Sequence, residues 1–289
     1  MLSTTVFRRS FHKSINIFTP VALNSLNFTS KTDHNPPLVI VHGLFGQKQN
    51  WNSVGKALHR KLEASVYAVD VRNHGNSPHT NEMTYTDMAE DLVMFVDKIR
   101  KETGQQKVNL LGHSMGGKIV MRMAIDSKWC DMINKLIVED VSPKGYSRRH
   151  LEFRHLIKAM RDVNLQRSRK EILIDMENIV PDLSMRQFLL TNLQPSQKQK
   201  GFMEWKCNLN TIDNHVEDIL GSSLPIGSFR GPTLFLHGEV SGYVTEDHKP
   251  DIKCLFPQVI FDSIPGAGHW VHAEKPELFI NSVVKFLSS

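Results

Sequence analysis

Val108-Asn109-Leu110-Leu111-Gly112-His113-Ser114-Met115-Gly116-Gly117-Lys118 is the stretch on which the fold turns. Val108, Leu110 and Leu111, interrupted only by Asn109, read as a buried strand. Gly112 to Gly116 then fits the G-x-S-x-G elbow, and helical patterning follows it. A turn this sharp leaves no room for side chains two positions either side of the serine, so only glycine clears the backbone. The turn lifts Ser114 off the end of the sheet and seats it at a helix N-terminus, where free N–H groups favour an anion. The five-residue motif alone recurs by chance. Between a strand and a helix it marks Ser114 as a nucleophile.

Outward from the elbow, short apolar runs alternate with helical ones. Leu38-Val39-Ile40-Val41, Val66 to Val69 and Lys135 to Asp140 have the character of strands buried on both faces. Pro232 to Leu236 and Gln258 to Phe261 continue the series, and Val21 to Phe28 suggests a short edge strand. Trp51 to Leu62, Met83 to Lys101 (capped around Thr84) and Glu274 to Leu287 carry helical spacing. Such alternation predicts an α/β fold with a mostly parallel, doubly wound sheet. Residues 33–145 and 225–289 form its core on this reading. Between them, residues 146–224 show helical spacing and no convincing strand, which predicts an inserted helical cap over the carboxyl ends of the strands.

Four of the net five positive charges, Arg8, Arg9, Lys13 and Lys31, fall in residues 1–32, which contain no Asp or Glu. This basic, acid-free segment with scattered apolar residues resembles a mitochondrial transit leader, so a mitochondrial location, in the matrix, is expected. The rest of the chain, at +1, is too nearly neutral to suggest nucleic acid as partner. No apolar run is long enough for a transmembrane segment. Cys130, Cys207 and Cys254 have neither metal-ligand spacing nor an even count, which points to a reducing compartment.

A serine hydroxyl needs a base. His269, in the Gly-rich loop Pro265-Gly266-Ala267-Gly268-His269-Trp270 after the last strand, has the position and the Ser-then-His chain order for that role. His272 is its local competitor, expected to face the cap or solvent, and His269-x-x-His272 lacks the Glu and helical context of a zinc site. His42-Gly43 at a strand end suggests that the Leu44 N–H joins that of Met115 in an oxyanion hole, with the His42 ring as a brace. The acid is harder to place. Asp140 ends the strand after the nucleophile helix; Glu239, in the loop His237 to Gly242, and Asp213, in the cap, are alternatives. Arg72 and His74, in the Asp70 to Pro78 loop, read as braces for the site's floor. Cap residues Met160, Met185, Phe188, Phe202, Met203 and Trp205 are candidates for an acyl pocket, about half of them as plain cap core. The cap's basic stretch, which includes Arg148, Arg149, Arg154, Lys158, Arg161 and Arg167, suits a solvated helix face better than a contact with anionic lipid.

With these residues in place the chain resembles the ABHD-type serine hydrolases of the α/β-hydrolase superfamily. The likeness runs from about Leu38 to Leu287. It rests on H-G-L-F-G at His42, D-V-R-N-H-G-N-S-P at Asp70, G-H-S-M-G-G-K at Gly112, D-V-S-P at Asp140 and G-A-G-H-W at Gly266. The resemblance implies a mitochondrial serine esterase or lipase acting on acyl esters such as diacylglycerol, with no cofactor. It also implies an association with the 2-oxoglutarate dehydrogenase complex. Related bacterial esterases with the H-G-L-F-G loop take their acid from the place of Asp140, whereas the wider superfamily has Asp where this chain has Ser241. Serine rather than aspartate in the elbow argues against a dehalogenase. Two function classes remain, an ester hydrolase (with thioesterase as a variant) and a binding protein that protects a partner. The intact nucleophile, base and oxyanion loop favour the first.

Overall fold

The structure, a computed structural model, describes residues 19–30, 34–146 and 150–289. Among these residues the elements follow in chain order as β1 (Ser25–Phe28), β2 (Leu38–Val41), α1 (Asn52–Leu62), β3 (Val66–Val69), α2 (Tyr85–Thr103), β4 (Val108–His113), α3 (Met115–Ala124) and β5 (Ile133–Glu139). The inserted segment holds α4 (His150–Asp162), α5 (Arg169–Asp175), α6 (Leu183–Leu190), β6 (Leu193–Pro195), β7 (Met203–Trp205) and α7 (Leu209–Gly221). Then come β8 (Thr233–Gly238), α8 (Lys249–Leu255), β9 (Val259–Ile264), α9 (Val271–Glu274) and α10 (Pro276–Ser288).

Seven strands form one sheet in the order β1-β3-β2-β4-β5-β8-β9, all parallel but the antiparallel edge strand β1. Apolar runs become central strands because both faces are covered. Val39 and Val41 point into a cluster with Met88, Leu92 and Phe95 of α2 and Ile119 and Val120 of α3. Leu38 and Ile40 point the opposite way, onto Val54 and Leu58 of α1 and Phe279 and Val283 of α10. The alternation of side chains along one strand thus feeds two helical layers. Helix α2 starts where expected. The Thr84 hydroxyl accepts from the Asp87 N–H at 3.2 Å and the Asp87 carboxylate from the Thr84 N–H at 2.9 Å, a reciprocal cap.

Two boundaries differ from the sequence reading. Residues 25–28 pair with Val66–Val69, and the Val21 N–H donates to Asp91 at 2.7 Å, so the end of the leader-like stretch belongs to the folded body. Residues 1–18 of that stretch lie outside the described residues. The cap is also not wholly helical. β6 and β7 form an antiparallel pair, tied by a 2.9 Å hydrogen bond from Gln194 to Glu204. Three-residue strands are too short to show a period of two. The neck of the insertion closes through Tyr146 N–H to Leu220 O at 2.6 Å and Leu224 N–H to Pro143 O at 2.9 Å. No helix among the described residues is long and apolar enough to cross a membrane.

Candidate active site

Strand β4 runs up the middle of the sheet and delivers Ser114 at its carboxyl edge. Ser114 has φ 54° and ψ −118°, a backbone that L-residues rarely adopt. A Cβ on Gly112 would lie 2.2 Å from the Gly116 carbonyl oxygen, and one on Gly116 2.2 Å from that of Val41. These contacts are why the elbow needs both glycines. The Ser114 N–H is held by the Glu139 carbonyl at 3.0 Å, tying the elbow to the neighbouring strand.

His269 follows β9 and leans over this edge. Its Nε2 accepts from the Ser114 hydroxyl at 3.2 Å, and its Nδ1–H donates to Asp140 Oδ2 at 2.7 Å. Asp140 sits just past β5, fully buried, with φ 49°. Its Oδ2 also accepts from the Ser241 hydroxyl at 2.5 Å, and its Oδ1 from the Gly238 N–H at 3.2 Å. Burial pushes this carboxyl up to about 7, against the pull of the Ser241 and Gly238 hydrogen bonds. Ser241, where the wider superfamily carries its acid, here serves as a donor to Asp140. Glu239 accepts from the Gly266 N–H at 2.8 Å, bracing the loop that carries His269, and Asp213 pairs with Arg161 in the cap; neither contacts His269.

The Leu44 and Met115 N–H groups expected to hold an oxyanion are both backbone. Met115 opens α3 and so has no partner one turn back. Among the described residues, neither its N–H nor that of Leu44 donates to another group. The His42-to-Gly46 loop is braced by two neutral imidazoles. His42 Nε2 accepts from the Val71 N–H at 3.0 Å and His74 Nε2 from the Phe45 N–H at 3.2 Å. Burial lowers both rings, His74 to about 3, so each keeps the lone pair its role requires. Arg72 forks onto Asp91 at 2.6 and 2.7 Å, a structural use. From the cap, the buried Asn192 amide donates to the Phe45 carbonyl at 2.6 Å, which fixes Phe45 at φ 59°. Nothing in the sequence singled out Asn192.

A cavity of about 300 Å³ opens over Ser114. Phe153 and Leu156 of α4, Met185 and Phe188 of α6, and Leu44 and Phe45 of the loop make its walls apolar. Of the six pocket candidates, Met185 and Phe188 line it. Met160 is buried in the cap core, and the Trp205 indole donates to the Met160 carbonyl at 2.7 Å. Tyr243, unforeseen, stacks on the His269 ring with centroids 3.9 Å apart. His272 departs from the expectation that it faces cap or solvent: it is buried beneath the edge, its Nδ1–H on Glu139 at 2.8 Å. The apolar pull of Trp51, stacked on it at 4.0 Å, together with Glu139, draws it inward. Arg154, Lys158, Arg161 and Arg167 are all paired with acids, as befits a solvated face; Arg148 and Arg149 lie outside the described residues.

Residues 36–141 match the alpha/beta hydrolase fold family. The zebrafish (Danio rerio) sn-1-specific diacylglycerol lipase ABHD11 is 40% identical over 96% of this chain and 86% of its own length. Esterase YbfF of Escherichia coli is 35% identical over 92% of this chain and 99% of its own. A solved marine microorganism esterase superposes with TM-score 0.82 at 35% identity, covering 92% of this chain and 99% of the other. The chain belongs to the α/β-hydrolase family, among its ABHD-type members.

Proposed function

We propose that this carboxylic ester hydrolase works through an acyl-enzyme on Ser114, with His269 as general base, Asp140 as its orienting acid, and Leu44 and Met115 N–H as the oxyanion hole. The observation that carries the reading is the unbroken hydrogen-bond chain from Ser114 through His269 to Asp140, at 3.2 and 2.7 Å, on the floor of an apolar cavity. The Ser114 oxygen attacks the acyl carbonyl while its proton passes to His269 Nε2. Charge gathers on the carbonyl oxygen, where the two free N–H groups lie. The imidazolium, held by Asp140, returns the proton to the leaving alkoxide. Water then enters by the same route and releases the acid.

Lipid esters of the diacylglycerol type are the proposed substrates, on the apolar cavity walls and the diacylglycerol lipase activity for which the zebrafish relative is named. A panel of diacylglycerols, short-chain esters and acyl thioesters, assayed with fluorophosphonate labelling of the Ser114 peptide, tests this. Uncharged long-chain esters should have the highest kcat/KM, and faster thioester turnover would reassign the substrate class. We also propose a mitochondrial location, on the basic, acid-free composition at the N-terminus. Residues 1–30 fused to a fluorescent reporter should carry it to mitochondria; a diffuse cytosolic signal would overturn the proposal. Association with the 2-oxoglutarate dehydrogenase complex stands only on the family likeness.

A further inference from the structure

Beneath the Asp140–His269 pair lies a second pair of the same kind. Glu139 precedes Asp140 and His272 follows His269 by one helical turn, yet both point away from the cavity. Glu139 Oε1 accepts from the His272 N–H at 2.9 Å and from its Nδ1–H at 2.8 Å. His113, which stands in register with Glu139 on the next strand, donates from Nε2 to the His269 carbonyl at 3.0 Å. Its ring lies 4.8 Å from that of His269 and 5.0 Å from that of His272. Glu139, His113 and His272 are all buried, and Trp51 closes the far side. Glu139 Oε2 has no partner among the described residues. A carboxylate oxygen left so is costly to bury, and the fold retains it one imidazole away from the base.

We propose that Glu139 is a positioning residue for His269: it clamps the base's turn through His272 and keeps a negative charge behind the imidazole, favouring the imidazolium that forms in the transition state. This rests on His269 being the base. A metal site built from the same three side chains is the competing account, since their ligand atoms lie within 4.8 Å of one another. The hydrogen bonds argue against it. His113 Nε2 and His272 Nδ1 each face an oxygen and carry the proton there, so a cation between the three side chains would have to break these bonds or use the opposite ring nitrogens. Burial also holds His113 down at about 3, so it stays neutral between the two pairs. The other titratable groups facing the relay are Tyr243, stacked on His269, and His237 and Glu274, which act on Asp140 from β8 and α9.

The test is the pH dependence of kcat/KM for an uncharged ester in wild type, Glu139→Gln and Glu139→Met. Glutamine removes the charge at constant shape. Methionine removes it without a buried amide to satisfy, and so serves if glutamine does not fold. Losing a negative charge makes the coupled Asp140–His269 pair easier to deprotonate, so the acid limb should move down by about half to one pH unit, a Coulomb effect through partly shielded protein. Turnover should fall roughly three- to tenfold, the worth of half to one pKa unit, with KM held within about twofold. Glu139→Asp, which keeps the charge, should restore the acid limb. An unmoved acid limb in the charge-free variants, or a loss confined to KM, overturns the proposal, as does stoichiometric zinc in the purified wild type. Failure of the relay itself shows separately, as unchanged activity in Ser114→Ala.

Discussion

Ser114→Ala should lower turnover on the order of 10⁴- to 10⁶-fold and abolish fluorophosphonate labelling, while the melting temperature stays at or above wild type. The loss is large because the substitution removes the atom that forms the acyl bond, leaving only the oxyanion donors and the cavity. Folding should not suffer. The hydroxyl's recorded contact is the 3.2 Å bond to His269 Nε2, and that nitrogen lies at the cavity floor, where water can replace it. The strained φ of 54° at residue 114 remains with alanine, so no backbone relief confuses the comparison. Equal labelling of both proteins would place the nucleophile elsewhere and sink the acyl-enzyme reading.

Long-range architecture was readable where one local pattern had a single structural solution. Leu38 to Val41 is apolar without alternation, Val108 to Leu111 nearly so with Asn109 as its one polar residue, and in a chain of alternating elements that leaves only a strand covered on both sides. The same logic gave out in short elements. α8 buries only Ile252 and so carries no apolar stripe, and it was not foreseen. The expected helix Glu274 to Leu287 begins at Pro276, because proline suits a first helical turn and Val271–Glu274 forms a turn of its own.

The site divides along a similar line. Ser114, His269 and the Leu44 loop announce themselves through glycine spacing, since tight backbone leaves a mark on neighbouring residues. Side chains that merely reach the site leave none. Tyr243 stacks on His269 from a loop with no motif, and Asn192 braces Phe45 from 147 residues away. Glu139 and His272 were visible as residues but not as a pair, because their meeting depends on which way two strand ends turn. Asp140 was an open choice for the same reason, and the left-handed φ of 49° that aims it at His269 is invisible in the letters D-V-S-P.

Asp140→Asn should cost roughly 10³- to 10⁴-fold in turnover with KM little changed, while Glu239→Gln and Asp213→Asn cost little. The direction follows from the donors around the carboxylate. Oδ1 faces the Gly238 N–H at 3.2 Å, a backbone donor that cannot reverse, so asparagine must keep its oxygen there. Its amide NH₂ then takes the place of Oδ2. Ser241 can adapt by accepting, but His269 Nδ1, at 2.7 Å, must also become an acceptor. The imidazole proton moves to Nε2, the atom that has to receive the Ser114 proton, and the base is disabled while every contact is kept. Stability should move the opposite way. A carboxyl raised to about 7 by burial favours folding while protonated, and that contribution is lost as pH climbs from the ordinary carboxylate range through about 7. At pH 8 the variant no longer buries that charge, so its melting temperature should equal or exceed wild type. Calorimetry beside the ester assay checks both halves. Wild-type turnover in a folded Asp140→Asn would mean that the acid lies elsewhere, and a variant that is inactive because it unfolds would contradict the geometry in which one carboxylate, held by three donors, does nothing but fix the tautomer of the base.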